Sequence, residues 1–424
     1  MGALLVVQQP GPANILKESI DALLLLTSTR CISISLCRNN AGRPRPMNLT
    51  PKSDILAPTP IALTVKFFVM SALPFPIRRL LLLARGLLGD RDRPNLHRLA
   101  GIDDPEEFVW SILPHAARSF APSILLLPEN EAKTAAVGYL YARMLDTYED
   151  LSDGPLEARA ALTAFAARFD STEPLPAPPA PSPPNPDQRD RAHILLVQRH
   201  QMVDQLFLEL DRATRDRITR LVDDMAQGMV EFSIIFERQE GVLDNDQQVL
   251  DYCHRVIGIP ALFVMETLLD EVPPDHHRDA LEASELIQLA NVTRDIEKDL
   301  LRGVAYHPAL KAHLGSAGGK VTDLAVATAR RDLIVLATRR AGSFRRLVDA
   351  VKLPRISPAR AAAVLMFSFT DRHYRDCAID AGMTTLSVSR PVLTLVLTSI
   401  PAMFSPRWAD RVMARVETDL LATV

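Results

Sequence analysis

From about residue 100 onward, apolar positions recur every three or four residues, the spacing of helices that bury one face or more. Val203, Leu206, Phe207, Leu210, Ile218, Leu221, Val222, Met225, Met229 and Phe232 keep that spacing and predict one long core helix over 203–232. Another helix is predicted to start near Glu129, just after Pro128, with Val137, Leu140, Met144 and Leu145 packed on nearly every side. A third apolar stretch holds Leu286, Ile287, Leu289, Ala290 and Val292. No strand–turn–helix alternation appears and no G-x-G-x-x-G follows a β-like run, so a Rossmann domain is not expected. The expected fold class is all-α.

The pattern breaks at residues 173–187, EPLPAPPAPSPPNPD. That many prolines cannot continue a helix and favour extended chain. The run reads as a surface loop inside one domain, replaceable by a short Gly/Ser linker at small cost. Residues 1–56 keep no sustained period and read as a disordered leader, or as sequence ahead of the true start, since more ordinary sequence follows Met47. They lack the charged start, apolar run and cleavage site of a signal peptide. Residues 57–100 form an apolar and basic segment, 101–405 the main domain, and 406–424 a C-terminal helix or tail.

No apolar run reaches the roughly 18–20 residues that span a bilayer. Ile61–Leu73 is interrupted by Lys66 and Pro391–Phe404 is short; both suit a membrane surface, and the second also suits a buried core. The expected location is the cytoplasm, with peripheral attachment to the inner face of the membrane left open, and the expected state is a monomer. Hydrophobic residues make up 47% and charged residues 23% of the 424, enough for a sizeable core. The net charge of −3 does not suggest a nucleic-acid partner. Cys31, Cys37, Cys253 and Cys377 show no metal-ligand spacing and read as reduced thiols.

Two polar stripes on apolar helices carry the chemistry. Tyr139, Arg143, Asp146 and Asp150 are spaced by four, three and four, with Glu149 beside them; Gln288, Asn291, Asp295 and Asp299 by three, four and four, with Arg294 beside them. Each set shares one helix face. Buried carboxylates need partners or metal, and Mg²⁺ takes one or two carboxylates and fills its shell with water and phosphate. Two such sets facing each other across a bundle would hold a metal–diphosphate cluster. At ~4 Å and an effective dielectric near 20, each pair of unit charges interacts by about 4 kcal/mol. Loss of diphosphate from an allylic substrate is a reaction that needs this help, and apolar walls would keep water from the resulting cation.

These residues resemble the squalene/phytoene synthase family over roughly residues 115–395. Asp146-Thr-Tyr-Glu-Asp150, with Arg143, resembles the first aspartate-rich motif; Asn291-Val-Thr-Arg-Asp-Ile-Glu-Lys-Asp299, with Gln288, resembles the second. Arg118-Ser119-Phe120 is similar to the S-R-S-F segment, with Ala117 in place of its first serine. The segments Met225–Phe232 and Asp251–Gly258, His254 above all, look closer to squalene than to phytoene synthases. Leu386–Arg390 resembles the family's basic C-terminal strip, thin in charge.

The resemblance implies a single-domain helical bundle of the isoprenoid synthase type with a central active-site cavity. It implies head-to-head condensation of two farnesyl diphosphates to presqualene diphosphate, then reduction to squalene by NADPH. Tyr252 falls where the family has a tyrosine implicated in proton handling. By the same resemblance Asp146, Glu149, Asp150, Asn291, Asp295 and Asp299 would hold Mg²⁺. Arg118, Ser119, Phe120, Tyr139, Arg143, Gln288, Asn291, Arg294 and Arg302 would contact the prenyl diphosphates. The second motif normally continues G-R-x-Y-x-P, but here it reads Gly303-Val304-Ala305-Tyr306-His307-Pro308; Arg302 is the candidate to replace the missing arginine. Alternatives are a phytoene synthase acting on geranylgeranyl diphosphate, a product formed without hydride transfer, a head-to-tail synthase or terpene cyclase, and an assembly factor of the same fold that has lost catalysis.

Overall fold

The computed structural model describes residues 78–79, 81–83, 93–118, 120–170, 174–181, 183, 186–269, 272–315, 323–383 and 390–422. The leader assigned to 1–56 lies outside them, as do Ser119 and residues 386–389 of the C-terminal strip. The chain divides into two compact units, Met1–Arg78 and Arg79–Val424, and helices α1–α15 belong to the second.

Helix α1, Pro105–Ala117, opens on two standard start signals: the Asp104 carboxylate accepts the Glu107 N–H and proline occupies the first turn. Helix α2, Glu129–Leu151, follows Pro128 as expected, and its Val137, Leu140, Met144 and Leu145 are fully buried. Helices α3, Pro155–Ala166, and α4, Gln188–Gln198, flank the proline-rich run.

The single long helix expected over 203–232 is two: α5, His200–Leu208, and α6, Arg212–Arg238. Asp211 makes the break. Its carboxylate accepts the Thr214 backbone N–H at 2.9 Å and the Thr214 hydroxyl at 2.7 Å, so it caps a new helix instead of extending the old one. Apolar spacing does not register such a cap.

Helix α7, Asp246–Cys253, runs through a π-helical turn, His254–Gly258, into α8, Ile259–Leu269. The stretch Asp246–Leu269 is long and apolar enough to cross a membrane by length and composition alone. The sequence reading expects no such stretch, because His254, Arg255 and Glu266 interrupt the apolar residues. Its apolar character has a local use, because Val256, Ile257, Phe263 and Leu268 line an internal cavity.

Helix α9, Pro274–Arg294, ends one residue before Asp295, and α10, Ile296–Leu301, begins one residue after it. The second polar stripe therefore spans a break: Asp295 sits at φ −96°, ψ 12°, in the sparsely populated bridge region. Backbone bonds from Asp295 to Asn291 and from Asp299 to Asp295, both 2.9 Å, keep the four-residue spacing across it.

Helices α11, Asp323–Thr338, α12, Ser343–Ala350, and α13, Pro358–Asp380, pack around α9, while α6 packs against α2 and α3. Helices α14, Val392–Ser399, and α15, Pro406–Leu421, lie on α13. Met413, Val416 and Leu420 of α15 join the same core as Leu286 and Leu289 of α9. Among the described residues the only β-pairing is one isolated parallel bridge, Val242 to Ala305. It fastens the loop after α6 to the loop after α10, and Gly241, at φ 88°, lies where a Cβ would meet the Gly303 carbonyl oxygen at 2.3 Å.

Residues 174–181 run over the surface, but they are anchored. The Tyr148 hydroxyl donates to the Pro179 carbonyl at 2.6 Å, and Arg168 Nε donates to the Pro176 carbonyl. Arg168 is 2% exposed. A Gly/Ser replacement of 173–187 would leave both donors without acceptors, and each such orphan costs about 1–3 kcal/mol. The expected result is a drop of roughly 2–6 kcal/mol in unfolding free energy, well above the small cost that proline content alone suggests. Urea unfolding of the replaced chain checks this, and a loss under 1 kcal/mol would show the anchors to be dispensable.

Candidate active site

A cavity of about 810 Å³ lies between α2, α6, α8, α9 and α13, toward the large end of the ~300–1,000 Å³ usual for small-molecule sites. Its lining changes character along two of its walls. On α2 it runs Ala135, Gly138 and Ala142, then Asp146, Glu149 and Asp150; on α9 it runs Ala280, Ala283 and Ile287, then Gln288 and Asn291, with Asp295 just past its end. At 1.5 Å of rise per residue, each helix passes from an apolar to a polar end over roughly 20 Å. All fourteen described candidate site residues line this one cavity: Arg118, Phe120, Tyr139, Arg143, Asp146, Glu149, Asp150, Tyr252, Gln288, Asn291, Arg294, Asp295, Asp299 and Arg302.

At the polar end most carboxylates face an arginine. Arg143 Nη1 stands 3.0 Å from Asp146, Arg302 Nη1 is 2.6 Å from Asp150, and Arg294 grips both oxygens of Asp295 at 2.9 and 2.5 Å. Arg143 also donates to the Tyr139 hydroxyl at 2.9 Å, and the Tyr139 ring lies 5.6 Å from that of Phe120. Asn291 donates to Gln288 at 3.1 Å. Arg118 follows the end of α1 with φ 47°, a strained backbone for a residue with a side chain. Val304, where the resemblance expects arginine, packs against the apolar core instead; Arg302, two residues earlier, lines the cavity.

The charges are only partly balanced. Burial pushes the Asp299 carboxyl up to about 7, aided by Asp295 and Asp150 and opposed by Arg302 and Lys298. Burial, then Asp150 and Asp146, hold Glu149 well above the usual range, and burial raises Asp146 against the pull of Arg143. Burial acts in the same direction on Asp295, yet its bonds to Arg294 outweigh it and hold that carboxyl below the usual range. Arg143, Arg189 and Arg372, all lining the cavity, each keep a buried Nε without a hydrogen-bond acceptor.

Such a wall lacks cations for its carboxylates and acceptors for its guanidinium groups. A divalent metal with a multiply charged anion would supply both. Among the described residues no three carboxylate, imidazole or thiol groups converge closely enough to enclose an ion alone.

The Tyr306 hydroxyl donates to Tyr252 at 3.1 Å, beside this polar end. Burial, then the charges of Glu149 and the neighbouring phenol, hold Tyr252 well above its ordinary value. Both phenols therefore keep their protons at neutral pH. His254 is engaged elsewhere, hydrogen-bonded to the buried Glu285, which Arg340 also holds.

Sequence reasoning missed Arg189, Lys298, Tyr306, Arg372, His373 and Asp376, which also line the cavity. Lys298 lies inside the second stripe, and Arg372 and Asp376 show helical spacing on α13, so both carried a faint signal. Arg189 follows the proline-rich loop and carried none. His373 accepts a contact from Arg294 at 3.3 Å, and burial, then Arg294 and Arg372, push its imidazole down to about 3, so it stays neutral.

A family model described as squalene/phytoene synthase matches residues 113–389. The chain is 27% identical over 198 residues to squalene synthase of Schizosaccharomyces pombe, an alignment covering 45% of this chain and 41% of that protein. It is 25% identical over 198 residues to inactive squalene synthase 2 of Arabidopsis thaliana, covering 46% and 44%. It is 32% identical over 154 residues to squalene synthase LSS of Botryococcus braunii, covering 36% and 30%. The matches thus span less than half the length of these relatives. Two solved structures of TcSQS with bound ligands superpose with TM-scores of 0.53 and 0.56 at 17% identity. They cover 75% and 76% of this chain and 98% and 99% of those chains, a likeness of fold.

Proposed function

Since this chain belongs to the squalene/phytoene synthase family, we propose that it joins two prenyl diphosphates head to head, taking two farnesyl diphosphates to presqualene diphosphate and on to squalene with NADPH. The observation that carries this reading is the convergence of both carboxylate stripes on the polar end of one cavity whose other end is apolar. The retained Asp146, Asp150, Asp295 and Asp299 favour an active enzyme over an assembly factor.

In this reading Asp146, Glu149, Asp150, Asn291, Asp295 and Asp299 hold Mg²⁺ through oxygen ligands. The metal supplies Lewis-acid neutralisation of the leaving diphosphate. Arg143, Arg294 and Arg302, freed from their carboxylates, turn to phosphate oxygens, where a planar fork binds two at once. Arg118 joins them from the α1 end. The apolar walls around Phe263, Leu221 and Met366 hold the prenyl chains and exclude water from the cation. By the resemblance Tyr252, hydrogen-bonded by Tyr306, is placed to handle the proton lost on cyclopropane formation, which passes finally to a diphosphate oxygen.

Product analysis with farnesyl and geranylgeranyl diphosphates, each with and without NADPH, tests the reading. Squalene from farnesyl diphosphate supports it; release of neither a C30 nor a C40 product would overturn it.

Arg302 gives a narrower test. Losing one charge-assisted hydrogen bond to phosphate costs about 1.5–3 kcal/mol, about ten- to a hundredfold in rate. Arg302→Ala is expected to lose that much in the NADPH-dependent step. Unchanged squalene formation in Arg302→Ala would place the needed charge on another residue.

A further inference from the structure

The helix changes pitch between α7 and α8. The Ile259 N–H donates to the His254 carbonyl, five residues back, which is the closure of a π-turn. Single π-turns inside helices are frequent at functional sites. Here the turn has a geometric consequence. Tyr252, Val256, Pro260, Val264 and Leu268 line the cavity at four-residue steps. At 3.6 residues per turn each such step drifts about 40° around a helix, roughly 160° from Tyr252 to Leu268. The wider turn takes back part of that drift, so Tyr252 and the residues of α8 share one wall.

Contacts from two sides hold this turn. On one side is α6: a Cβ on Gly228 would meet the Arg255 Cβ at 2.7 Å, and Arg255 pairs with Glu231 at 2.9 Å. On the other side is α9, with the buried Glu285. One Glu285 oxygen meets His254 Nε2 and the other meets Arg340 Nε, just past α11. A carboxylate only accepts, so Nε2 carries the proton. Stability alone does not call for such a group, since a buried ion pair is often replaceable by apolar side chains without loss. Its bonds are directional, and they hold the π-turn, α9 and the end of α11 in one setting. Glu285 stands six residues before Asn291, and His254 two residues after Tyr252. Neither lines the cavity. From behind the wall, they join the backbone of the second stripe to the backbone that carries Tyr252.

We propose that His254, Glu285 and Arg340 form a positioning array for the reaction: they set the π-turn against α9, and so fix the Tyr252 hydroxyl and the wall residues Val256 and Ile257 relative to the second carboxylate stripe. The array touches no substrate, and its role rests on the prenyl-joining reading above.

The test compares wild type with His254→Leu, His254→Gln and Glu285→Met. Leucine removes the donor to Glu285, glutamine keeps an N–H donor, and methionine removes both acceptors. A misplacement of 1 Å transmitted from outside the site can cost about a hundredfold. His254→Leu and Glu285→Met are therefore expected to lower kcat with farnesyl diphosphate by about ten- to a hundredfold. KM should stay near its wild-type value, because the substrate contacts remain. His254→Gln should recover most of kcat. Amide hydrogen exchange at Ile259, whose N–H closes the π-turn, should be faster in the leucine and methionine variants than in wild type and His254→Gln. Wild-type kcat in His254→Leu and Glu285→Met, even with lowered melting temperatures, would overturn the proposal, since the array would then serve stability alone. So would a glutamine variant as slow as the leucine one. Absence of any product from wild type would instead remove the reading above. Exchange at Ile259 would then decide the array by itself, and equal exchange in all four proteins would overturn it.

Discussion

Asp146→Asn and Asp295→Asn are each expected to lower turnover by about three orders of magnitude or more, equivalent to about 4 kcal/mol of barrier. The carboxylates lie on opposite walls of one polar end, and in the proposed reaction each supplies a charged oxygen to the metal that takes up the diphosphate. Asparagine keeps shape and one oxygen acceptor but removes the charge. Folding should survive. Burial already pushes the Asp146 carboxyl up against the pull of Arg143 and Arg302, so a neutral side chain there removes a desolvation cost. Asp295→Asn forfeits the Arg294 fork, but Asp295 is about one third exposed, and water can replace the lost partner at a modest cost. Single-turnover assays across a magnesium titration, beside thermal melts, separate the two effects. Wild-type turnover in both variants with an unchanged magnesium requirement would remove these aspartates from the site.

Among single substitutions, the largest loss of stability is expected from Arg168→Met. Arg168 is 2% exposed and lies 5.2 Å from the Phe165 ring and 5.9 Å from that of Phe169. Its Nη2 donates to Asp204 at 2.7 Å; Asp204 also accepts the Tyr141 hydroxyl at 2.8 Å and meets His200 Nδ1 at 2.7 Å. Nδ1 is also 3.2 Å from Arg168, but it cannot donate to one neighbour and accept from the other at once. The shorter contact to a carboxylate fixes the proton on Nδ1. Arg168 is thus the main counter-charge of a buried carboxylate, and removing one partner of such a pair costs about 3–5 kcal/mol. Methionine fills the stem's volume but leaves Asp204 charged and the Pro176 carbonyl without its donor. Asp204→Asn added to Arg168→Met should recover part of the loss, since asparagine carries no charge and still accepts from Tyr141. Denaturant unfolding of the two variants measures both numbers, and a loss under 1 kcal/mol in Arg168→Met would mean that water reaches the pair.

Both predictions concern residues that the sequence displayed unequally. The aspartates were legible because function fixes their spacing on a helix: three- and four-residue intervals on an apolar background need no knowledge of the partner helix. Arg168, His200 and Asp204 were not legible. They stand 32 and 4 residues apart along the chain, and nothing local says that a carboxylate and a guanidinium will be buried together. The same limit hid Arg189 and His373.

The sequence by itself determined the all-helical class, the start of α2 at Pro128, the two stripes and the family they belong to, because each is written in local spacing or in one motif. Tertiary structure decided the rest. It broke the 203–232 stretch at Asp211, where a side chain competing for backbone N–H groups outweighs unbroken apolar periodicity. It divided the second stripe at Asp295 while bridging bonds kept the register. It turned the proline-rich run from a free loop into an acceptor for buried donors, since polar atoms buried by the surrounding helices must be satisfied by whatever backbone lies within reach. And it put both stripes on one cavity, which follows from how α2 and α9 pack and not from either helix alone.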